Sequence, residues 1–328
     1  MVLIISQTGD HATDEVMDWL NYLGVPCMRL NGEEVLDGAS RTRIELNSYV
    51  HESVIKVEGW PEVHSEAIRS IWYRRDVKRN ESRLSELEQQ AFYPALIDSL
   101  DKEYTVAKKA FFAAAESRAR RLGNYRCQAP SKLDVLQLAK ACGLDIPATI
   151  LCNTKDDLLQ FKEKCRNLIT KAIRDGFNFE CEAQLYMSYT EEVTDAVMEK
   201  IPAVFFPSLF QEKLEKELDL RIFYLDGTCY AMAIFSQLDK KTRTDFRKYN
   251  QQVNNRNVPY QLPETLVTCL RQLMTKLDLN TGSIDLVKTK TGRYVFLEVN
   301  PVGQYGMTAV PCNYPLNKKI ATYLAYHG

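Results

Sequence analysis

The chain opens on the apolar run VLII, breaks at Ser6-Gln7-Thr8, and resumes an apolar run at VPCMRLN after Gly24. Between them Thr13 reads as an N-cap with Asp14 and Glu15 in the first turn, so the segment predicts strand, helix, strand: a βαβ unit. TRIELN and SVIKVEGW suit a hairpin, and IRSIWYRRD predicts a short strand that carries paired arginines. From Leu84 to about Leu122 the pattern is helical, with breaks expected near Pro94 and Asp101. SKLDVLQLAKACGLDIPATILCN predicts a capped helix, a stop at Gly143 and a strand entered at Ile146-Pro147. A helix over KDDLLQFKEKC, a strand over LITKAI, two strands in FNFECEAQLYMSY and a helix over EEVTDAVMEKI follow. AVFFPSLFQEKLEKELDLRIFYLDGTCYAMAIFSQ then predicts a strand, an acidic link and a hairpin turned by Asp226-Gly227. The sum is a mixed α/β (α+β) chain without internal repeat or Pro/Gly/Ser-rich linker.

The last hairpin, SIDLVKTKTGRYVFLEVN, carries the first candidate chemistry. Residues two apart on a strand share a face, so Glu298 and Asn300 emerge together just before Pro301, opposite a packing row of Val295, Leu297 and Val299. With Lys288 paired to Arg293, Asp285 falls opposite Phe296 and diagonal to Glu298, roughly 7–8 Å away. A lone carboxylate here would read as a polar strand end. Two carboxylates and an amide oxygen suit Mg²⁺, which is held by one or two carboxylates together with substrate phosphates, and so point to a nucleoside triphosphate. Zinc fits less well, because His11, His51, His64 and His327 have no ligand spacing and none of the nine cysteines forms a CxxC.

Composition narrows the field further. At 328 residues with 45% hydrophobic positions, the chain can fill two or three packed units. Lys plus Arg (42) nearly balance Asp plus Glu (43), so no net field draws nucleic acid or an anionic membrane, and SRARRLGNYR reads as a solvated helix end. The odd number of scattered cysteines indicates buried thiols in a reducing compartment, and Cys127, Cys142 and Cys312 have no activating base beside them. No signal segment or membrane span is apparent, which predicts a cytoplasmic protein. QTGDHAT holds one glycine and is an ordinary turn, without a phosphate-binding fingerprint.

Lys171, Asp219 with Arg221, and Arg247 are each ambiguous alone: a strand lysine faces solvent as readily as phosphate, and Asp-x-Arg can be a surface ion pair. Their order is more specific. Lys, a Glu-containing link, Asp-x-Arg, Arg, Asp and Glu-x-Asn resemble the ATP-grasp superfamily, most closely the graspetide-forming peptide ligases of the microviridin and grasp-with-spasm type. The resemblance runs over almost the whole chain and is carried by LFQEKLEKELDLRIF and IDLVKTKTGRYVFLEVNPVGQY, with support from WYRRD and GNYRCQAPSKLDVLQLAKACGLDIPAT.

The resemblance implies an ATP-grasp fold: a Rossmann-like N-terminal domain (1–124), a central subdomain (125–203) and a C-terminal subdomain (204–328), the last two gripping ATP and Mg²⁺. It assigns Lys132 and Lys171 to the phosphates, and Gln211, Glu212, Lys213 and Leu214 to the base. Asp219 goes to the ribose or the acceptor, and Arg221 and Arg247 to the γ-phosphate and the acyl phosphate. Asp285, Glu298 and Asn300 hold the metal. Arg74 and Arg75 line the arrival point of the substrate's acidic side chain; as consecutive strand residues they point to opposite faces, so only one of them faces it. The partner implied is a precursor peptide, leader plus core, gripped by Glu180, Glu182, Tyr186, Tyr189 and a helix start at Glu191, Glu192 and Asp195, with a homodimer as the assembly. The chemistry implied is macrocyclisation through ω-ester or ω-amide bonds; joining free amino acids or glutamate tails, or a nucleotide-binding regulator without chemistry, are the alternatives. One departure concerns the lid: after Lys171 the chain has only RDGF, with the single Gly176, where many members have a glycine-rich loop.

Overall fold

The computed structural model describes residues 1–32, 40–46, 51–57, 62–75, 86–116, 118–127, 130–174, 178–181, 184–187, 189–238 and 255–326. Two compact units emerge, Met1–Gln128 with Pro315–Gly328, and Ala129–Tyr314. Gly176, Glu182 and Arg247 lie outside the described residues.

In the first unit, β1 (Val2–Ser6), α1 (His11–Tyr22) and β2 (Cys27–Asn31) form the expected parallel βαβ. β3 (Ser40–Leu46) and β4 (His51–Val57) pair as the expected hairpin, with β5 (Val63–His64) on its edge. β6 (Ser70–Tyr73) lies parallel to β1. α2 (Tyr93–Glu116) is one unbroken helix, contrary to the breaks expected at Pro94 and Asp101. Pro94 falls in the first turn, where its missing N–H costs nothing, and Asp101 is exposed. Nor does the helix reach Leu122: Arg120–Leu122 forms β7, parallel to β6, completing the order β2-β1-β6-β7. Gly123 stops it at φ 84°, where a Cβ would meet the Tyr73 carbonyl oxygen at 2.9 Å.

Leu3, Ile5, Met28, Leu30, Ile71, Phe111 and Phe112 form this unit's core. The C-terminal helix α8 (Leu316–Tyr326), absent from the sequence reading, belongs to it too: Ser70 Oγ donates to the Leu324 carbonyl at 2.8 Å. The cap of α1 is Asp10, not Thr13; Thr13 is buried, its hydroxyl 2.8 Å from that of Ser6.

The second unit begins with α3 (Lys132–Ala141), capped by Ser131. Then come β8 (Thr149–Thr154) and α4 (Lys155–Cys165), whose cap Thr154 accepts from the Asp157 N–H. β9 (Leu168–Lys171), the hairpin β10 (Asn178–Cys181) and β11 (Gln184–Met187), β12 (Glu191–Val193), α5 (Asp195–Lys200) and β13 (Val204–Glu212) follow. A four-stranded sheet runs β12-β9-β13-β8, with Leu158, Leu168, Val193, Met198 and Phe210 as its core. Glu191 and Glu192 therefore lie on a strand, opposite Thr170 and Ile169, and not at a helix start. Thr194 caps the helix, leaving only Asp195 in its first turn.

β14 (Lys216–Leu225), β15 (Thr228–Ile234), β16 (Asn257–Tyr260), α6 (Glu264–Lys276), β17 (Thr281–Thr289), β18 (Tyr294–Asn300) and α7 (Gly306–Cys312) complete it. Asp226 and Gly227 both adopt positive φ, 43° and 86°, as a two-residue hairpin between right-twisted strands requires. The sheet order is β16-β15-β14-β17-β18. Among the described residues no helix is long and apolar enough to cross a membrane.

Candidate active site

The hairpin of β17 and β18 has a different register from the simple alternation. Leu286 faces Phe296 while Asp285 faces Glu298, so Leu297 is an extra residue in a β-bulge. Lys288 also pairs with Tyr294 and not with Arg293, and this register together with the bulge corrects two expectations. Asp285 and Glu298 are direct cross-strand neighbours, not diagonal ones, which brings their Cβ atoms to roughly 4.5–5.5 Å. Val295, Leu297 and Val299 do not form one packing row: Phe296 and Val299 pair with Leu286 and Ile284, on the opposite face from Asp285.

β14 adds a third member to the rung. Arg221 pairs with Asp285 across β14 and β17, so Arg221, Asp285 and Glu298 run side by side over three strands. Arg221 Nη1 donates to both Asp285 carboxylate oxygens, at 2.8 and 2.7 Å, with each side chain 8% exposed. Arg221 Nε is buried without a hydrogen-bond partner among the described residues. Two lysines approach Glu298 Oε2 from the other side: Lys132 Nζ at 3.7 Å from α3, and Lys171 Nζ at 4.0 Å from the end of β9. Lys132 also donates to the Ala172 carbonyl at 3.1 Å, which ties the helix to that strand end. Lys171 is thus an inward lysine, not a solvated one.

Asn300 Oδ1 accepts the Val302 N–H at 3.0 Å, fixing the amide on the same strand face as Glu298 and leaving a second lone pair. Asp219, 2% exposed, is held by Lys216 at 2.9 Å and by the Ser236 hydroxyl. Gln211 donates to Thr149 Oγ1 at 2.9 Å, and Glu212 Oε1 accepts the Ala148 N–H at 3.0 Å. The N–H groups of Glu212 and Lys213 go to the carbonyls of Ala148 and Asn167. Lys213 Nζ reaches Glu192, and Lys162 reaches Asp195, so two of the acidic residues expected to grip a leader already have partners within the chain. Tyr186 is exposed and Tyr189 half-buried. Of Glu180 only the strand position is described.

Electrostatically, among the described residues two carboxylates meet three cations, Arg221, Lys132 and Lys171, a setting suited to an anionic ligand. The donor set for a metal is oxygen only, from Asp285, Glu298 and Asn300. Among the described residues no group of three or more His, Cys, Asp or Glu could hold an ion. The residues therefore fit a hard cation that takes its remaining oxygens from a phosphate ligand. Burial pushes the Cys312 thiol up, and Cys229 up to about 11, which keeps both protonated and inert.

Arg74 and Arg75 lie in the first unit. β6 ends at Tyr73, and the N–H groups of both arginines donate to the Ile5 carbonyl. This break in the ladder overturns the expectation that consecutive residues point apart: both guanidinium groups reach Asp10 Oδ2, Arg74 Nε at 3.2 Å and Arg75 Nε at 2.7 Å. Burial raises the Asp10 pKa, but the two arginine charges and the Arg75 hydrogen bond outweigh it and hold the carboxyl below its usual range. Asp10 thus stabilises the fold above its unfolded pKa, about 4. Denaturation midpoints should fall as pH drops from there through the lower folded value, and less so in Asp10→Asn. Asp10, the partner of these two candidate site residues, was not expected from the sequence; its only signal was a carboxylate at the turn after β1 in a chain with paired arginines at the end of another strand.

No protein-family model matches the chain, and neither does any curated protein. Solved structures do. A RiPP-associated ATP-grasp ligase of Chryseobacterium gregarium, in complex with ADP and a leader and core peptide, superposes with a TM-score of 0.85 at 24% identity, over 100% of this chain and 97% of that one. Macrocyclase MdnC of Microcystis aeruginosa MRC, bound with precursor peptide MdnA, gives 0.81 at 24% identity over 98% of each chain. ATP-grasp ligase PsnB, complexed with minimal precursor, Mg and ADP, gives 0.74 at 14% over 98% and 96%. The chain has the ATP-grasp fold.

Proposed function

We propose that the chain is an ATP-dependent peptide ligase that cyclises a ribosomally made precursor. The observation that carries this reading is the Arg221-Asp285-Glu298 rung with Lys132 and Lys171 converging on Glu298. It stands in a fold that peptide ligases share over their full length. An Asp or Glu side chain of the peptide attacks the γ-phosphorus of ATP and ADP leaves. A Thr or Ser hydroxyl, or a Lys amine, then attacks the acyl phosphate carbonyl and phosphate leaves, giving an ester or an amide.

The first step brings a carboxylate against a polyphosphate, and fixed cations offset that repulsion. Arg221, and Arg247 with it, would neutralise the transferred phosphoryl group, while Lys132 and Lys171 hold the other phosphates. Asp285, Glu298 and Asn300 would hold Mg²⁺, which supplies Lewis-acid charge at the phosphate oxygens. The N–H groups of Glu212 and Lys213 being engaged within the fold, the base would be read by carbonyl oxygens and Leu214. Asp219, buried under Lys216 and Ser236, would orient the ribose or acceptor through those partners. Arg74 and Arg75 would form the reception point for the acidic side chain, with Arg75 as its more exposed member.

The same reading includes the three-part division at 124 and 203, a homodimer and a cytoplasmic setting. Incubation with ATP, Mg²⁺ and candidate precursor peptides tests it: loss of one water per bond formed, with ADP released, is expected. Ligation of free amino acids without peptide modification would replace it.

Leader recognition is proposed at β10, β11 and β12, through Glu191 with Tyr186, Tyr189 and neighbouring acidic residues. Because Glu192 binds Lys213 beside the proposed base site, reversing it would disturb nucleotide binding as well. Glu191→Lys is the cleaner variant. It should weaken the affinity of a basic leader roughly fivefold at low salt, the effect of about 1 kcal/mol from an exposed charge pair, and less at high salt. Nucleotide affinity should be unchanged. Calorimetry at two salt concentrations checks this, and equal leader affinity in both proteins removes Glu191 from the grip.

A further inference from the structure

Three charged residues meet where the parallel sheet of the first unit changes direction. β1 connects through α1 to β2 on one side, while β6 and β7 extend the sheet on the other. Ligands of open α/β sheets bind outside the carboxyl ends of the strands at such a switch point. Asp10 follows β1 there, and Arg74 and Arg75 follow β6.

The cluster is built. Asp10 Oδ2 is shared by Nε of Arg74 and Nε of Arg75, so among the described residues two guanidinium groups meet one carboxylate. Arg29, on neighbouring β2, is matched by Asp14 and bonds Asn31, so it adds no further positive charge to the cluster. The members differ in access. Side-chain exposure is 3% for Asp10 and 4% for Arg74 but 22% for Arg75, and Arg74 also lies over the Trp72 ring at 5.9 Å. Among the described residues Arg75 is engaged through Nε. A guanidinium held by Nε still has two terminal nitrogens in a fixed plane, the geometry that takes a carboxylate in a paired hydrogen bond.

We propose that Asp10 is a positioning residue: it clamps Arg75 by Nε so that the terminal nitrogens present a fixed fork to a carboxylate. That the carboxylate belongs to a peptide Asp or Glu rests on the ligase reading above. Arg74, closed in by Trp72, serves as the buried counter-charge that keeps Asp10 ionised. A clamped fork acts mainly on turnover, because a small misplacement of a reacting group costs about 10²-fold in rate even when binding persists.

Asp10 is the N-cap of α1 by position but makes no side-chain cap hydrogen bond, and Asn suits that position as well as Asp, so Asp10→Asn tests the charge. The expected result is a tenfold to hundredfold lower kcat for peptide with KM for peptide unchanged or lower, because the positive charge remains. KM for ATP should not move. Asp10→Glu should recover part of kcat, and Arg75→Lys, which cannot hold Asp10 and fork a carboxylate at once, should match the Asn variant. An Asn variant with wild-type kcat, or one that loses activity only in proportion to its folded fraction, overturns the assignment.

A second measurement does not depend on turnover. The Arg75 Nε–H resonance, identified by its loss in Arg75→Lys, should shift saturably with N-acetylglutamate in the wild type and not in Asp10→Asn. A wild-type resonance indifferent to the probe overturns the inference. A responsive resonance in a protein that turns over no peptide would instead fault the ligase reading.

Discussion

Glu298→Gln is expected to abolish peptide ligation, by about 10²-fold or more, while the protein stays folded. Glu298 is one of two carboxylates on the site's rung, and both lysines that approach the site do so at its Oε2 atom. The amide keeps the shape and loses the charge, so a metal held there would rest on Asp285 and Asn300 alone. Lys132 and Lys171 would lose the negative charge on which they converge, Lys132 keeping its bond to the Ala172 carbonyl. Loss of a fixed charge at a phosphoryl-transfer centre costs on the order of 10²–10³ in rate. Stability should hardly change, because Glu298 is 25% exposed and its contacts to the lysines, at 3.7 and 4.0 Å, are partly solvent-screened. Rates with ATP, Mg²⁺ and peptide, alongside a thermal melt, decide it. Full ligation by a folded Gln variant would remove Glu298 from the metal set, and partial recovery in excess Mg²⁺ would support it.

That site was legible in the sequence to the extent that it depends on period-two alternation and on order along the chain. Asp219, Arg221, Asp285, Glu298 and Asn300 are all on strands whose patterns are clear, and the Asp226-Gly227 turn fixes the register of β14 against β15. The bulge at Leu297 was not legible. Nothing in YVFLEVN distinguishes seven regular residues from six plus one, because Phe296 and Leu297 are both apolar, and the pairing is decided by how β18 meets β17. The same limit explains β12: EEVTDAVMEKI has a helical period throughout, but Glu191–Val193 pairs with the edge of β9, and tertiary pairing overrides propensity there. The Arg74-Arg75-Asp10 cluster depends on two N–H groups sharing one carbonyl, a local break in a ladder that no side-chain pattern encodes. The C-terminal helices were missed because Pro311 and Pro315 interrupt the run in which they lie.

Removing either partner of the Arg221-Asp285 pair should cost about 3–5 kcal/mol of stability, and removing both should restore most of it. The two side chains are each 8% exposed and joined through Nη1 to both carboxylate oxygens. Met232 lies across from Arg221 on β15, so the pair sits beside apolar surface. Arg221→Met takes from Asp285 the cation bound to both its oxygens; Asp285→Leu leaves a guanidinium whose Nε already lacks a partner among the described residues. A buried charge that loses its ion-pair partner is the costly outcome, whereas apolar groups of similar volume at both positions are close to neutral. Denaturant titration of both single variants and of Arg221→Met with Asp285→Leu would read the cycle. The double variant should be folded and unable to ligate, which separates the pair's chemical role from its structural one. Two singles that each cost less than about 1 kcal/mol, the range of a solvated surface pair, would mean that the carboxylate and guanidinium are open to water. Arg221 would then be free to leave Asp285 when a phosphate and a metal arrive, and the buried geometry would not be the resting state of the site.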